Sequence, residues 1–387
     1  MTPPTSTRSA SLSRRTLLQT TLAACVGWLG GTTHAAAAAQ EGAASSRSAL
    51  RVLTAWQQGE TAYAGIWSPG VQLRGIALPA RAHGLLPVPA AAGLPGAQAL
   101  VLARRPGEYL LRMDLHRQRA LRWHPLEDDR YLAGHACASL DGTTFFTTET
   151  DGETGAGLVV ERHWASLEKQ REFASHGIGP HALLTLPNDH LLVANGGILN
   201  LPETGRHKLN IGRMAPNLSV LEPTTGEHIQ GWSLDDPYLS LRHLARSADG
   251  TVAVAMQAEH PDPTARQHAP ALALWRDGQL KTVDWHGGQA PPGWDGYAGD
   301  VCCTHGRFWI SAPRAGWMVS WSVRGDDQQL IPLAGVGALS GQGPRLFAAG
   351  EAAALWLPAD AAAPTSHRLS TAWDNHAMVL PPTALRS

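Results

Sequence analysis

Three stretches of this chain share one template. "HACASLDGTTFFTTE" begins at His135, "HALLTLPNDHLLVAN" at His181 and "HLARSADGTVAVAMQ" at His243. Each is a histidine, a short run of mostly apolar or small residues, a turn, and a second run with strand character. Asp141-Gly142 and Asp249-Gly250 fall at the same offset, and Asp-Gly between apolar runs is the strongest short-range hairpin signal. Pro187-Asn188-Asp189 takes the same place in the third stretch. Looser copies start at His83, at Gly299, at Gly335 and at His376, the middle two without the histidine and the last with its first half only. Strand-built repeats recurring every forty to sixty residues or so mean a propeller or a solenoid.

Between the copies lie further strand pairs, such as "NLSVLEPTTGEHIQGWSL" and "ALALWRDGQLKTVDW". Two strands from each copy and two from each interval make a four-stranded blade. The expected fold is therefore all-β, a seven-bladed β-propeller, because a closed ring leaves only short protected edges. The last copy lacks partner strands behind it, and "LRVLTAWQQGETAYAGIWS" near the other end can supply them. The ring is expected to close with strands from both termini. Residues 49–387 then form a single domain, with 36–48 as a flexible linker before it. Abundant turn formers, Gly 40 and Pro 27, agree with many short strands. A net charge of -1 argues against a nucleic-acid partner, which asks for a basic face.

Residues 1–35 read as a signal peptide of the twin-arginine type. Ser13-Arg14-Arg15-Thr16-Leu17-Leu18 carries the arginine pair, a mildly apolar stretch follows, and Thr33-His34-Ala35 offers small residues for cleavage. The apolar stretch is shorter than the roughly 20 residues of a spanning helix, and no transmembrane segment is expected elsewhere. The expected location is the periplasm. Lipoprotein anchoring at Cys25, within Leu22-Ala23-Ala24-Cys25, is the competing expectation. Cys137, Cys302 and Cys303 would remain after cleavage, an odd number that makes a poor disulfide framework.

If the first strand of each copy lines the central channel, its leading histidine stands at one mouth. His83, His135, His181, His243 and His376 would then meet there as metal ligands. Simple hairpin register places Glu149, Asn195 and Gln257 on the adjacent strand beside His135, His181 and His243, as second-shell partners. Imidazole suits iron, copper and zinc alike, and it must be neutral to bind. The competing reading is a polar tie between blades, since a repeat copies its scaffold residues too. Both readings stand at this level.

The stretch "SHGIGPHALLTLPNDHLLVANGGILNLPETGRHKLNIGRMAPNLSVL", with the His135 copy before it and the His243 copy after it, resembles the twin-arginine-exported propellers grouped as domain of unknown function 1513. The resemblance runs from about residue 50 to the end and is most specific between His176 and Asn217. It implies a periplasmic role linked to metal acquisition, beside imelysin-type iron-uptake proteins as partners, and brings no established activity.

A second candidate is the long segment from Gly196 to Asn217, which joins two strands and lacks an apolar period. Loops longer than about 12 residues in compact domains are usually functional or disordered. This one is expected to fold over the mouth and meet an anionic ligand through Arg206 and Lys208, with Asn210, Arg213 and the nearby His176 as further contacts. The bland alternative is a solvated loop ordered by Asn210 and Asn217. Nucleophile-elbow, phosphate-loop and zinc-protease motifs are absent from the sequence. The leading expectation is a non-catalytic periplasmic propeller that binds an iron or copper ion, or a complex of one, in a metal acquisition system. A metal-dependent lactonase or oxidoreductase on the same histidines, and a docking scaffold without ligand, are the alternatives.

Overall fold

The computed structural model describes residues 50–204, 207–359 and 363–381, all within one compact unit, residues 49–387. Arg14, Arg15, Cys25, the 36–48 linker and Arg206 lie outside the described residues.

The described strands form seven four-stranded antiparallel sheets, the blades of a propeller. The innermost strands, in ring order, are Ala82–Pro87, Arg130–Ala138, Pro180–Thr185, Leu239–Arg246, Asp300–Thr304, Ala338–Gly341 and Trp373–Val379. These define blades 1 to 7. Each inner strand touches the next, and Trp373–Val379 touches Ala82–Pro87 to complete the circle. Blade 7 is the composite one. Its inner strand comes from the C-terminal side, and Val52–Gln58, Thr61–Trp67 and Arg74–Leu78 complete it, with Val52 opposite Val379 and Leu53 opposite Met378.

The core lies between blades. Leu192, Leu218 and Val220 of blade 3 pack against Leu241, Val254 and Met256 of blade 4. Ala253, Ala255 and Leu272 of blade 4 meet Ile310 and Val319 of blade 5. Tryptophans fill the widening space toward the rim. Trp285 stacks edge-on against Trp294 at 5.2 Å, and both donate Nε1–H to the Ala269 carbonyl, at 3.0 and 2.9 Å. A carbonyl here selects indole over phenyl, because indole pairs a large apolar body with one donor.

The Asp-Gly turns form for a local reason. Asp141 accepts from the Thr143 amide at 3.0 Å and Asp249 from the Thr251 amide at 3.1 Å, while Gly142 and Gly250 take φ of +74° and +88°. Away from the turn, simple hairpin register fails. Pairing slips between Ala82 and Leu85, Leu132 and Ala136, Pro180 and Ala182, and Leu241 and Leu244. In blade 7 it slips opposite Thr54 and Trp56, between Trp373 and Ala377. Every one of these bulges contains its blade's histidine. The two inner strands without a histidine, Asp300–Thr304 and Ala338–Gly341, pair in unbroken register. A bulge re-aims the side chain it carries and ends regular pairing beside it.

Candidate metal centre

The five bulges turn His83, His135, His181, His243 and His376 toward one another at one end of the inner-strand ring. The Nε2 atom of His83 lies 3.1 Å from Nε2 of His135 and 3.3 Å from Nε2 of His376. His181 and His243 face each other at 3.3 Å between Nε2 atoms. One ligand nitrogen each from His83, His135, His243 and His376 lies within 4.8 Å of all the others. His181 stands next to this group, its ring 4.6 Å from that of His243 and 4.8 Å from that of His135. Most of the rings meet at steep angles, edge toward face, so that nitrogens converge instead of faces stacking.

These distances fit a bound cation. Metal–imidazole bonds of about 2.0–2.1 Å place neighbouring ligand nitrogens about 3.0–3.4 Å apart. Hydrogen bonding alone fits less well. A neutral imidazole nitrogen carries one hydrogen or one lone pair, yet Nε2 of His83 stands within hydrogen-bonding distance of two other Nε2 atoms.

Four of the five imidazoles are pushed toward the neutral form. Burial lowers the pKa of His83, His135, His181 and His243 well below the usual histidine value, and repulsion from neighbouring histidines adds to it. At neutral pH these imidazoles keep their lone pairs for a ligand. The Nδ1 atoms of His83 and His181 are buried without a hydrogen-bond partner among the described residues. His376 differs, because its Nδ1 meets the buried carboxylate of Asp300, Oδ2 at 3.1 Å. Asp300 is held in turn by the Val301 amide on Oδ1 at 2.8 Å and the Leu339 amide on Oδ2 at 3.0 Å. It sits on the inner strand of blade 5, in one of the copies that lack histidine. The template-led sequence reading passed over it, although an acidic residue beside the histidine column is a signal in principle.

The bulges also correct the expected second shell. Glu149 lies opposite Leu132, not opposite His135, and is fully buried in an ion pair with Arg162 at 2.9 Å, with Thr147 as a further donor. Asn195 donates Nδ2–H to the Ser175 carbonyl on the outermost strand of blade 2 and to Asn217 Oδ1 within blade 3, both at 2.9 Å, and so ties the two blades together. Gln257 donates to the Ala298 carbonyl at 3.3 Å, toward blade 5. Beside His135 and His243 the slipped register places other residues, whereas Asn195 stays opposite Pro180, next to His181. The Thr148 hydroxyl, for example, bonds the carbonyls of His135 and His181, at 3.3 and 3.0 Å.

A cavity of about 270 Å³ opens onto His83, His181 and His243. The 196–217 segment forms part of its wall through Ile198, Asn200, Leu201 and Lys208. Asn210 orders that segment, accepting from the Leu199 amide at 2.8 Å and donating to the Gly197 carbonyl at 2.9 Å. Arg213 is exposed and outside the cavity lining. His176 meets the end of the segment through its backbone, its carbonyl accepting from Asn217 Nδ2 at 3.1 Å. It lies on the outermost strand of blade 2 and stacks on His228 with ring centroids 4.7 Å apart. Cys137, Cys302 and Cys303 are free thiols, and burial pushes Cys137 up to about 12 and Cys303 up to about 11.

A family model described as "Protein of unknown function (DUF1513)" matches residues 76–380. No curated protein sequence matches the chain. Among solved structures, Kuenenia stuttgartiensis hydrazine synthase is similar with a TM-score of 0.55 at 13% identity, over 82% of this chain and 95% of that one. A chain of a nidogen/laminin complex follows with a TM-score of 0.50 at 10% identity, over 86% of this chain and 99% of that one. At such identities these likenesses concern the fold alone.

Proposed function

The chain belongs to the DUF1513 family, and from that premise we propose that it is a non-catalytic propeller that holds a transition-metal ion, or a small complex of one, in the histidine cluster at one end of its ring. The observation that carries this reading is the meeting of three Nε2 atoms on His83, His135 and His376, at 3.1 and 3.3 Å, where burial favours the neutral form of His83 and His135. A cation accepting all three lone pairs satisfies both contacts at once, where a single proton on Nε2 of His83 would have to be shared between two acceptors. Asp300 behind His376 supports the reading, since ligating histidines regularly donate their other N–H to a carboxylate, which fixes tautomer and ring direction.

Imidazole-rich sites suit iron, copper and zinc. The arginine pair at Arg14 and Arg15 supports export in folded form, and the family resemblance implies a metal-acquisition role in the periplasm, with iron or copper as cargo and imelysin-type proteins as partners. Binding is favoured over turnover because the converging groups are all ligands, five imidazoles with one orienting carboxylate.

The test is metal content per chain by mass spectrometry, after loading purified protein with copper, zinc or ferrous iron in turn and desalting it. About one ion per chain is expected for at least one metal, with that ion lost in the His83→Gln/His135→Gln double variant while circular dichroism shows an intact β fold. Retention of the metal in that variant, or no stoichiometric metal in the parent, overturns the proposal.

A further inference from the structure

The cavity over the histidines is lined by Arg104, Arg105, Lys208, Arg242 and Arg314, and among the described residues its lining holds no carboxylate. These cations come from separate elements. Arg104 and Arg105 follow the second strand of blade 1, Lys208 sits on the 196–217 segment, Arg242 lies in the bulge beside His243, and Arg314 lies in a turn of blade 5. The fold therefore gathers positive charge from four blades at one place, beside His83, His181 and His243.

Nearby acids offset only part of it. Glu259 is shared between Lys208 and Arg242, the latter at 3.7 Å, and Asp295 pairs with Arg314 at 2.8 Å. Arg314 also lies over the Tyr297 ring at 4.1 Å, which fixes its guanidinium above the cavity. Arg242 is 1% exposed, and its Nε and Nη1 atoms have no hydrogen-bond partner among the described residues. Burying donors of a charged group without partners is expensive, so a site that does so stores attraction for an anion. Arg105 feels the crowding too, since burial, with Arg242 and Arg104 adding repulsion, brings it down to about 9.

We propose that this chamber binds a compact oxygen-donor polyanion, a polycarboxylate or a condensed phosphate, as the co-ligand of the metal on the histidines. The inference rests on the metal reading for the word co-ligand, while the anion site stands on its own residues. Guanidinium forks match carboxylate and phosphate oxygens in pairs. The cavity volume suits a small chelator and not a macromolecule. A chelate seated here would present its spare negative charge to the arginines and its metal to the imidazoles.

The test is calorimetric titration of citrate and, separately, of pyrophosphate into metal-free and zinc-loaded protein at constant ionic strength. At least one anion is expected to bind the metal-free protein, and zinc should tighten it about tenfold, since coupling between sites is reciprocal. Arg242→Gln and, as the more exposed variant that keeps the fold, Arg314→Gln should each weaken that anion about tenfold. His135→Gln, outside the cavity lining, should lose the zinc enhancement. Tighter citrate assigns a carboxylate chelate, and tighter pyrophosphate a phosphate one. If zinc binds but neither anion does, or if both arginine variants bind anions like the parent, the chamber inference falls and the metal reading survives. If anions bind through Arg242 and Arg314 but no metal binds, the anion site stands and both the co-ligand role and the metal reading fall.

Discussion

Asp300 Oδ2 lies 3.1 Å from Nδ1 of His376, joining blade 5, which has no histidine of its own, to the histidine of blade 7. The inner strand of blade 6 passes between them and contributes the Leu339 amide to the same carboxylate oxygen. A blade without a histidine thus supplies the group that orients another blade's histidine.

Asp300→Asn tests this relationship. The amide keeps a carbonyl for one backbone N–H but cannot stabilise the charge that His376 donates to a metal. Removing such an outer partner typically weakens metal affinity by 10–100-fold or so. A loss in that range, with a thermal midpoint close to that of the parent, is expected from competition titrations against a chromogenic chelator. Unchanged affinity would make Asp300 a blade fastener only.

The metal-free protein should lose stability in mild acid, beginning near the unfolded histidine pKa of about 6.5. His83, His135, His181 and His243 have folded pKa values lowered by burial and by one another. Above about 6.5 they are neutral in both states and contribute no pH dependence. Below it the unfolded chain takes up protons that the folded chain refuses, so stability falls as pH drops toward the lowered folded values. Each group adds at most ~1.4 kcal/mol per pH unit. Urea midpoints between neutral pH and mild acid, compared for the parent and His181→Gln, should show a shallower dependence in the variant by about one proton.

Glu149→Gln separates the site from the scaffold. Glu149 is fully buried, and desolvation raises its pKa against the pull of Arg162 and the Thr147 hydroxyl. Arg162 is fully buried as well, and its other carboxylate, Glu127 at 3.2 Å, is partly exposed. Breaking a buried pair commonly costs about 3–5 kcal/mol, because the remaining charge is stranded. A large drop in urea midpoint with full metal content is expected. Loss of metal without loss of stability would return Glu149 to the site.

The ring, its blade count and the histidine column were legible because a hairpin repeat writes itself into the chain through turn residues and alternating apolar runs. The composite blade was legible for the same reason, as one copy ended early while spare strands stood at the other end. The neighbours of the histidines were not. Bulges carry no sequence signature as strong as Asp-Gly, and each shifts its partner strand, so Glu149, Asn195 and Gln257 face other work. Asp300 was hidden by its residue type, which departs from the template it occupies. The charged chamber was half visible in Lys208. Its arginines come from connections of blades 1 and 5 and from a strand bulge of blade 4, and only the closed ring brings them together.

Gly134 offers the sharpest test that bulge geometry builds the centre. It lies in the blade 2 bulge, just before His135, with φ of +110°, a region that residues with a Cβ rarely enter. A Cβ at this position would stand 2.5 Å from Cδ2 of His83, well inside contact distance. Gly134→Ala must therefore strain the backbone and displace the imidazole whose Nε2 meets both His135 and His376. Strained backbone of this kind costs about 1–3 kcal/mol. Gly142→Ala is the matched control, since Gly142 also has positive φ, at +74°, but its added Cβ would meet only Ala91 and Pro89 side chains, at 3.1 Å and beyond. Both variants should show lower thermal midpoints by comparable amounts. Only Gly134→Ala should also lose metal affinity, because only there does the strain reach a ligand. Equal metal binding in the two variants would mean that His83 contributes little to holding the ion, and that the cluster's centre of gravity lies with His243 and its neighbours.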